Sequence, residues 1–228
     1  MSRIMSRAFV WVGGALFVAS LAWCLWWYLM ILGQPAPAGA WPALVVDILL
    51  LGVFATHHSV CARPRVKALM TRAVPDTLQR SVYVWIASTL LIVVCLAWQR
   101  VGGTLYSVAG WRAAAHAGLQ LFGVAVIAWS VAGIDPLELA GIRDQRERGG
   151  LQTAGPYGWV RHPVYFGWVL AAFGAPHMTG DRLAFAGITT LYLAIAVPWE
   201  EGSLVRSFGD EYRKYQQHVR WRIVPYVY

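Results

Sequence analysis

Long apolar runs separated by short polar stretches set the first expectation for this chain. Six runs stand out: Ala8–Leu32, Trp41–Thr56, Ser81–Trp98, Ala114–Ile134, Pro163–Met178 and Leu183–Trp199. A helix needs about 20 mostly apolar residues to cross the hydrocarbon core of a bilayer, with a range of about 17–25. The second, fifth and sixth runs are short by that measure. The last two are joined by a turn around His177–Arg182 and read as a tight helical hairpin. Backbone groups in lipid must pair within the chain, so helices rather than open strands fill the runs. The pattern predicts an all-α fold: a polytopic membrane protein of about six transmembrane helices with a cytoplasmic C-terminal helical tail. It reads as one domain, with a four-helix part over residues 8–134 and a hairpin-and-tail part over 153–225.

Composition agrees. The 228 residues are 58% hydrophobic and 13% charged, against about 25% charged in an ordinary soluble domain. The net charge of +8 suggests nucleic acid at first sight, but no basic stretch carries a reader motif, and none is expected as a partner. The cations alternate by compartment instead. With the N-terminus inside, 16 Lys and Arg fall on the cytoplasmic side and 3 (Arg100, Arg112, Arg182) on the other. That is a positive-inside distribution, and it puts both termini in the cytoplasm. Trp41, Trp98, Trp111, Trp159, Trp168, Trp199 and Trp221 fall near segment ends, as an interfacial belt requires. Cys24, Cys61 and Cys95 are too few and too scattered for a disulfide framework. The first apolar run is too long for a signal peptide and is read as helix one.

The polar residues left on the cytoplasmic side form three constellations. Gly155–Gly167 reads Gly-Pro-Tyr-Gly-Trp-Val-Arg-His-Pro-Val-Tyr-Phe-Gly. Pro163 suits the first position of a helix, whose start presents N–H groups and a positive dipole end beside Arg161 and His162. An anionic group such as a carboxylate fits there; a plain membrane boundary also explains an Arg-His pair. Glu200-Glu201 closes the hairpin next to that start. It suits an ammonium, or ordinary ion pairing with Arg161 or Arg206. An amino-acid zwitterion satisfies both sites together. Phe208–Tyr215 places Glu211 and Tyr215 one helical turn apart. It is either a solvated amphipathic helix or a cover, through Tyr212 and Tyr215, for a nucleobase-like group. His57 and Cys61 have the one-turn spacing of a metal pair, but no third ligand is evident, and no metal is expected. Asp47, in an apolar segment, is read as a partner for His57, His58 or an Arg, or as a helix–helix hydrogen bond. His116 and His177 are read as structural.

In this order the pieces resemble the C-terminal half of the isoprenylcysteine carboxyl methyltransferase superfamily, which includes phospholipid N-methyltransferases. They are Gly155-Pro156-Tyr157, Arg161 to Gly167, Glu200-Glu201-Gly202-Ser203-Leu204, Phe208 to Tyr215, and Val219 with Pro225. Asp47, His58 to Pro64, Lys67, Arg80 to Val84, Ala175 to Thr179 and Leu183 to Ala186 are similar to bacterial methanethiol S-methyltransferases and the related NnrU-type proteins. The resemblance implies a bacterial inner-membrane enzyme that binds S-adenosylmethionine. It carries the cofactor role to Tyr157, His162, Pro163, Tyr165, Gly167, Glu200, Glu201 and Tyr212. The chain has Val219-Arg220 where the prenylcysteine enzymes have Val-Pro, and its last residues look somewhat like those of membrane sterol reductases, which use NADPH.

Methyl transfer from a sulfonium needs nucleophile, methyl carbon and leaving sulfur in line. A thiol acceptor must also be ionised, which adjacent cations favour. His58, Arg63 and Arg161 are the expected catalytic residues, His58 as proton acceptor. The expected reaction is S-adenosylmethionine-dependent methylation of a small or lipophilic thiol by a protein in contact with membrane lipid. The alternatives are a lipid or prenylcysteine methyltransferase of the same fold, and a non-enzymatic NnrU-type membrane protein. A transporter built on two related halves lacks a visible repeat, and an NADPH reductase lacks a Gly-x-Gly-x-x-Gly loop.

Overall fold

The computed structural model describes residues 3–39, 41–61, 66, 74–133, 135–143 and 150–228. It is nearly all helical. In chain order the elements are α1 (Arg3–Trp26) running into a π-helical turn (Trp27–Ile31), α2 (Trp41–Cys61), α3 (Asp76–Ala97), β1 (Thr104–Ser107), α4 (Gly110–Val131), the short α5 (Pro136–Leu139), a 3-10 turn (Gly155–Gly158), α6 (Pro163–Phe173), β2 (His177–Thr179), α7 (Gly180–Phe208) and α8 (Asp210–His218). Among the described residues five helices are long and apolar enough to cross a membrane: α1 with its π turn, α2, α3, α4 and α7. The fifth apolar run departs from expectation. Only its first 11 residues are helical. The rest leaves the helix at Gly174 and ends in β2, paired antiparallel with β1.

The chain falls into two compact units: residues 1–101 with 134–147, and residues 102–133 with 148–228. α4, expected with the N-terminal helices, therefore groups with the hairpin and tail.

In the first unit α1 packs on α3. Phe9 and Trp85 stack at 5.5 Å, and the Trp85 indole N–H donates to Phe9 O at 3.1 Å. Asp47 is 0% exposed, and its Oδ1 accepts from the Gln99 amide at 2.9 Å. This bond ties α2 to the backbone just beyond α3, the kind of link that the helix–helix alternative expects. Residues 135–143 fold onto the start of α3, where Ser81 Oγ donates to Gly141 O at 2.7 Å and Arg80 Nε to Glu138 O at 2.5 Å.

In the second unit α4 and α6 cross at two glycines. A Cβ on Gly123 would lie 2.5 Å from Gly167 O, and one on Gly167 would lie 2.5 Å from Gly123 O. Small residues at such a crossing let backbones touch where lipid offers no hydrophobic drive for association. α7 starts at Thr179, whose Oγ1 accepts from the Arg182 amide at 3.1 Å. It contains Pro198 and stops at Gly209, whose φ of +56° suits glycine. α8 then leaves in a new direction and buries Tyr212 and Tyr215.

Candidate active site

The second unit gathers the three constellations around one carboxylate. Glu201, near the end of α7, is 4% exposed. Its Oε1 accepts from Arg161 Nε at 2.6 Å and faces His162 Nε2 at 3.3 Å. Its Oε2 accepts from Arg161 at 3.3 Å and from Gln216 Nε2 at 3.1 Å, with Arg222 Nε at 3.5 Å. Arg161 uses its other terminal nitrogen on the carbonyls of Val219 and Arg220, at 2.7 and 2.8 Å. Buried charges persist when they are paired and their remaining sites are hydrogen-bonded, and this pair satisfies both conditions. Arg161 and Glu201 hold four segments together: the stretch before α6, the end of α7, α8 and the strap after it.

Glu200 is different. Its side chain is 43% exposed. It accepts from the Tyr165 hydroxyl at 2.5 Å and lies 3.5 Å from His162 Nδ1. The His162 and Tyr165 rings stack at 5.4 Å, 7° from parallel. His162 thus has a carboxylate at each ring nitrogen, one structural and one accessible. The start of α6 offers fewer amides than expected. Pro163 has none, and the Tyr165 and Phe166 amides turn back to His162 O at 3.0 and 3.1 Å.

The tyrosines complete the wall. Tyr215 donates to Tyr157 O at 2.7 Å, and Tyr157 to Ser130 O at 3.4 Å. Tyr212 is 1% exposed, and its hydroxyl has no hydrogen-bond partner among the described residues. Burial, and then the Glu201 carboxylate, push the Tyr212 phenol far above its ordinary range. Burial raises Tyr157 and Tyr215 as well. Tyr212 is therefore a neutral donor held dry against the Arg161–Glu201 pair, near enough for both charges to act on it, yet without a well-formed hydrogen bond among the described residues.

Of the residues expected from sequence, Tyr157, Arg161, His162, Pro163, Tyr165, Glu200, Glu201 and Tyr212 come together here. Gly167 sits one turn further along α6, at the crossing with α4. His58 belongs to the first unit. Its Nδ1 shares a 2.6 Å hydrogen bond with the Tyr83 hydroxyl, and its ring stacks on Phe54 at 5.9 Å. His57 stacks on Tyr83 at 5.3 Å, and its Nδ1 lies 3.4 Å from Cys61 Sγ. Arg63, and the basic residues Arg65, Lys67, Arg72, Arg146 and Arg148, lie outside the described residues. Sequence reasoning missed Tyr83, Gln216 and Arg222. Gln216 follows Tyr212 by one helical turn, so spacing alone places it on the same face. Arg222 carries no such local signal, and Tyr83 enters only as part of the Arg80 to Val84 motif.

Comparison with known proteins bears on what this cluster does. Residues 119–205 match the model of the isoprenylcysteine carboxyl methyltransferase (ICMT) family. A methanethiol S-methyltransferase of Mycobacterium tuberculosis is 39% identical over 195 residues, covering 81% of this chain and 78% of the relative. One of Crocosphaera subtropica is 34% identical over 199 residues, covering 81% and 76%. A protein-S-isoprenylcysteine O-methyltransferase of Xenopus laevis is 33% identical over 72 residues, covering 30% and 25%. No solved structure matches.

Proposed function

We propose a donor and an acceptor for this chain, which belongs to the isoprenylcysteine carboxyl methyltransferase family and is an integral membrane methyltransferase. The donor is S-adenosylmethionine, and the acceptor is a small or lipophilic thiol of the methanethiol kind. The observation that carries the donor is the division of labour at the hub. A saturated Arg161–Glu201 pair frames an accessible carboxylate, Glu200, and a dry, unpartnered hydroxyl, Tyr212.

The residues fit such a molecule. Glu200 suits its ammonium, the Tyr212 hydroxyl donates to one of its acceptors, and the stacked His162–Tyr165 pair gives a flat wall. Tyr157, Pro163, Gly167 and Glu201 act behind these as the frame. S-adenosylmethionine supplies an electrophilic methyl carbon on a sulfonium. The chain's own task is alignment, and well-oriented partners gain about 7–11 kcal/mol from it. An ordinary thiol ionises near about 8.5. In this reading His58 takes the thiol proton, with Tyr83 fixing its ring, and Arg63 and Arg161 keep the catalytic roles expected from the sequence. The names of the relatives support the thiol. The 16-to-3 cation distribution supports cytoplasmic termini, in a bacterial inner membrane. The shorter match to a prenylcysteine enzyme favours a second reading, in which the acceptor is a prenylcysteine or lipid.

The test is transfer of labelled methyl from S-adenosylmethionine by the purified protein in detergent, with methanethiol, a prenylcysteine analogue or phosphatidylethanolamine as acceptor. Label in the volatile thioether is expected. Label confined to the prenylcysteine or lipid selects the second reading. Absence of both transfer and donor binding removes the proposal.

A further inference from the structure

The strap after α8 closes on α7 at a point where that helix is chemically incomplete. Pro198 lies inside α7. It has no N–H, so the carbonyl four residues earlier, Ala194 O, receives no helical hydrogen bond from it. A bare carbonyl is costly in a membrane span. Here the Tyr228 hydroxyl donates to Ala194 O at 3.1 Å. Tyr228 is fixed in turn by the strap. Its backbone oxygen accepts from the amides of Arg222, Ile223 and Val224 at 2.8, 2.9 and 3.2 Å, and its own amide donates to Val224 O at 3.0 Å. Arg222 donates to the Tyr228 hydroxyl at 3.2 Å and lies over its ring at 5.1 Å.

Arg222 joins this lock to the hub. Its Nε is 3.5 Å from Glu201 Oε2. Its carbonyl accepts from the His162 amide at 2.8 Å, and the neighbouring Trp221 carbonyl accepts from the Arg161 amide at 2.9 Å. One line of contacts therefore runs from the proline gap in α7 through Tyr228 and Arg222 to His162 and Glu201.

We propose that Tyr228 is a positioning residue: by docking its hydroxyl on the Ala194 carbonyl that Pro198 leaves open, it sets Arg222 and the Arg161–His162–Glu201 hub for donor binding. The proposal rests on the donor reading above for its binding readout, and on amide exchange independently of it. In the full-length protein in detergent, Tyr228→Phe removes only the hydroxyl. Exchange at the Arg161 and His162 amides should then rise about tenfold, with a similar loss of affinity for S-adenosylmethionine by calorimetry, the equivalent of one or two hydrogen bonds. Pro198→Ala restores an N–H to Ala194 O. In that background Tyr228→Phe should add little, so the two changes are non-additive. Arg222→Gln, which keeps the tyrosine, should loosen the same two amides. Wild-type exchange in Tyr228→Phe, or fully additive effects, overturns the proposal. So does faster exchange with unchanged affinity. If the wild-type protein binds no donor, the functional reading fails and the exchange cycle alone decides the role of Tyr228.

Discussion

The two histidine clusters are built in opposite ways. His162 is buried among ion pairs, with a carboxylate at each ring nitrogen and a frame whose donors are nearly all committed. His58 is exposed, shares a hydrogen bond with the Tyr83 hydroxyl and stacks on Phe54. A saturated buried network resists rearrangement and fixes geometry. An exposed imidazole on a single helix has no such frame around it. The proposed function gives the first the task of holding and the second that of reacting, and four substitutions probe the division.

Arg161→Ala should act most strongly. It takes from the buried Glu201 carboxylate its closest cation and leaves His162, Gln216 and Arg222 around it; breaking a buried pair in this way costs about 3–5 kcal/mol. Thermal unfolding in detergent should report a large loss together with loss of donor binding. Near-normal unfolding would mean the hub is not the frame described above. His58→Ala should invert that profile. It should lower turnover with thiols about a hundredfold or more, as for a lost general base, with unfolding and donor affinity unchanged; equal damage to all three would erase the contrast. Gly167→Val tests whether the hub depends on the α4–α6 crossing. The new side chain meets Gly123 O and Ile127, and overpacking of this kind costs about 1–3 kcal/mol. Donor affinity should fall with stability, and normal binding in a destabilised variant would uncouple the two.

Tyr212→Phe is the mildest. Removing an unsatisfied buried hydroxyl should stabilise the ligand-free protein, by about 1 kcal/mol, while weakening donor binding severalfold. A hydroxyl with a purely structural role would lower stability and leave affinity alone. The pH dependence has a definite sign. A phenol raised above its ordinary value near about 10 binds its proton more tightly folded than unfolded. Its contribution is complete below the ordinary value and declines as pH climbs towards the raised one. Tyr212→Phe should remove part of that alkaline loss.

Much of this was legible in the residues. Apolar runs located the long helices because a bilayer demands length and hydrophobicity together. The Arg161-His162 and Glu200-Glu201 pairs were brought side by side by reading a hairpin, a local connection. What stayed hidden depended on distant partners. Gly167 reads as part of a motif, and only the approach of Gly123 shows that it is a packing contact. Glu200 and Glu201 look equivalent in sequence, yet one faces outward and the other is enclosed by α8 and the strap. Arg222 and Tyr83 act across elements with no periodic signal. The end of the fifth run was misread as helix because its pairing partner, β1, lies some seventy positions earlier in the chain.

That pairing has a consequence for how the chain traverses lipid. From Gly180 to Glu200, α7 rises about 30 Å at 1.5 Å per residue, whereas the 11 residues of α6 rise about 16 Å. The two helices share the hub at one end and β2 at the other, so Gly174–His177 must bridge the shortfall of about 14 Å as non-helical chain. This traverse is a splice of helix, coil and ribbon, and a strand at the end of a span keeps its amides from lipid by pairing. Thr104–Ser107 is that insulation. A charge or proline placed in this remote tetrapeptide would damage a span that contains none of its residues.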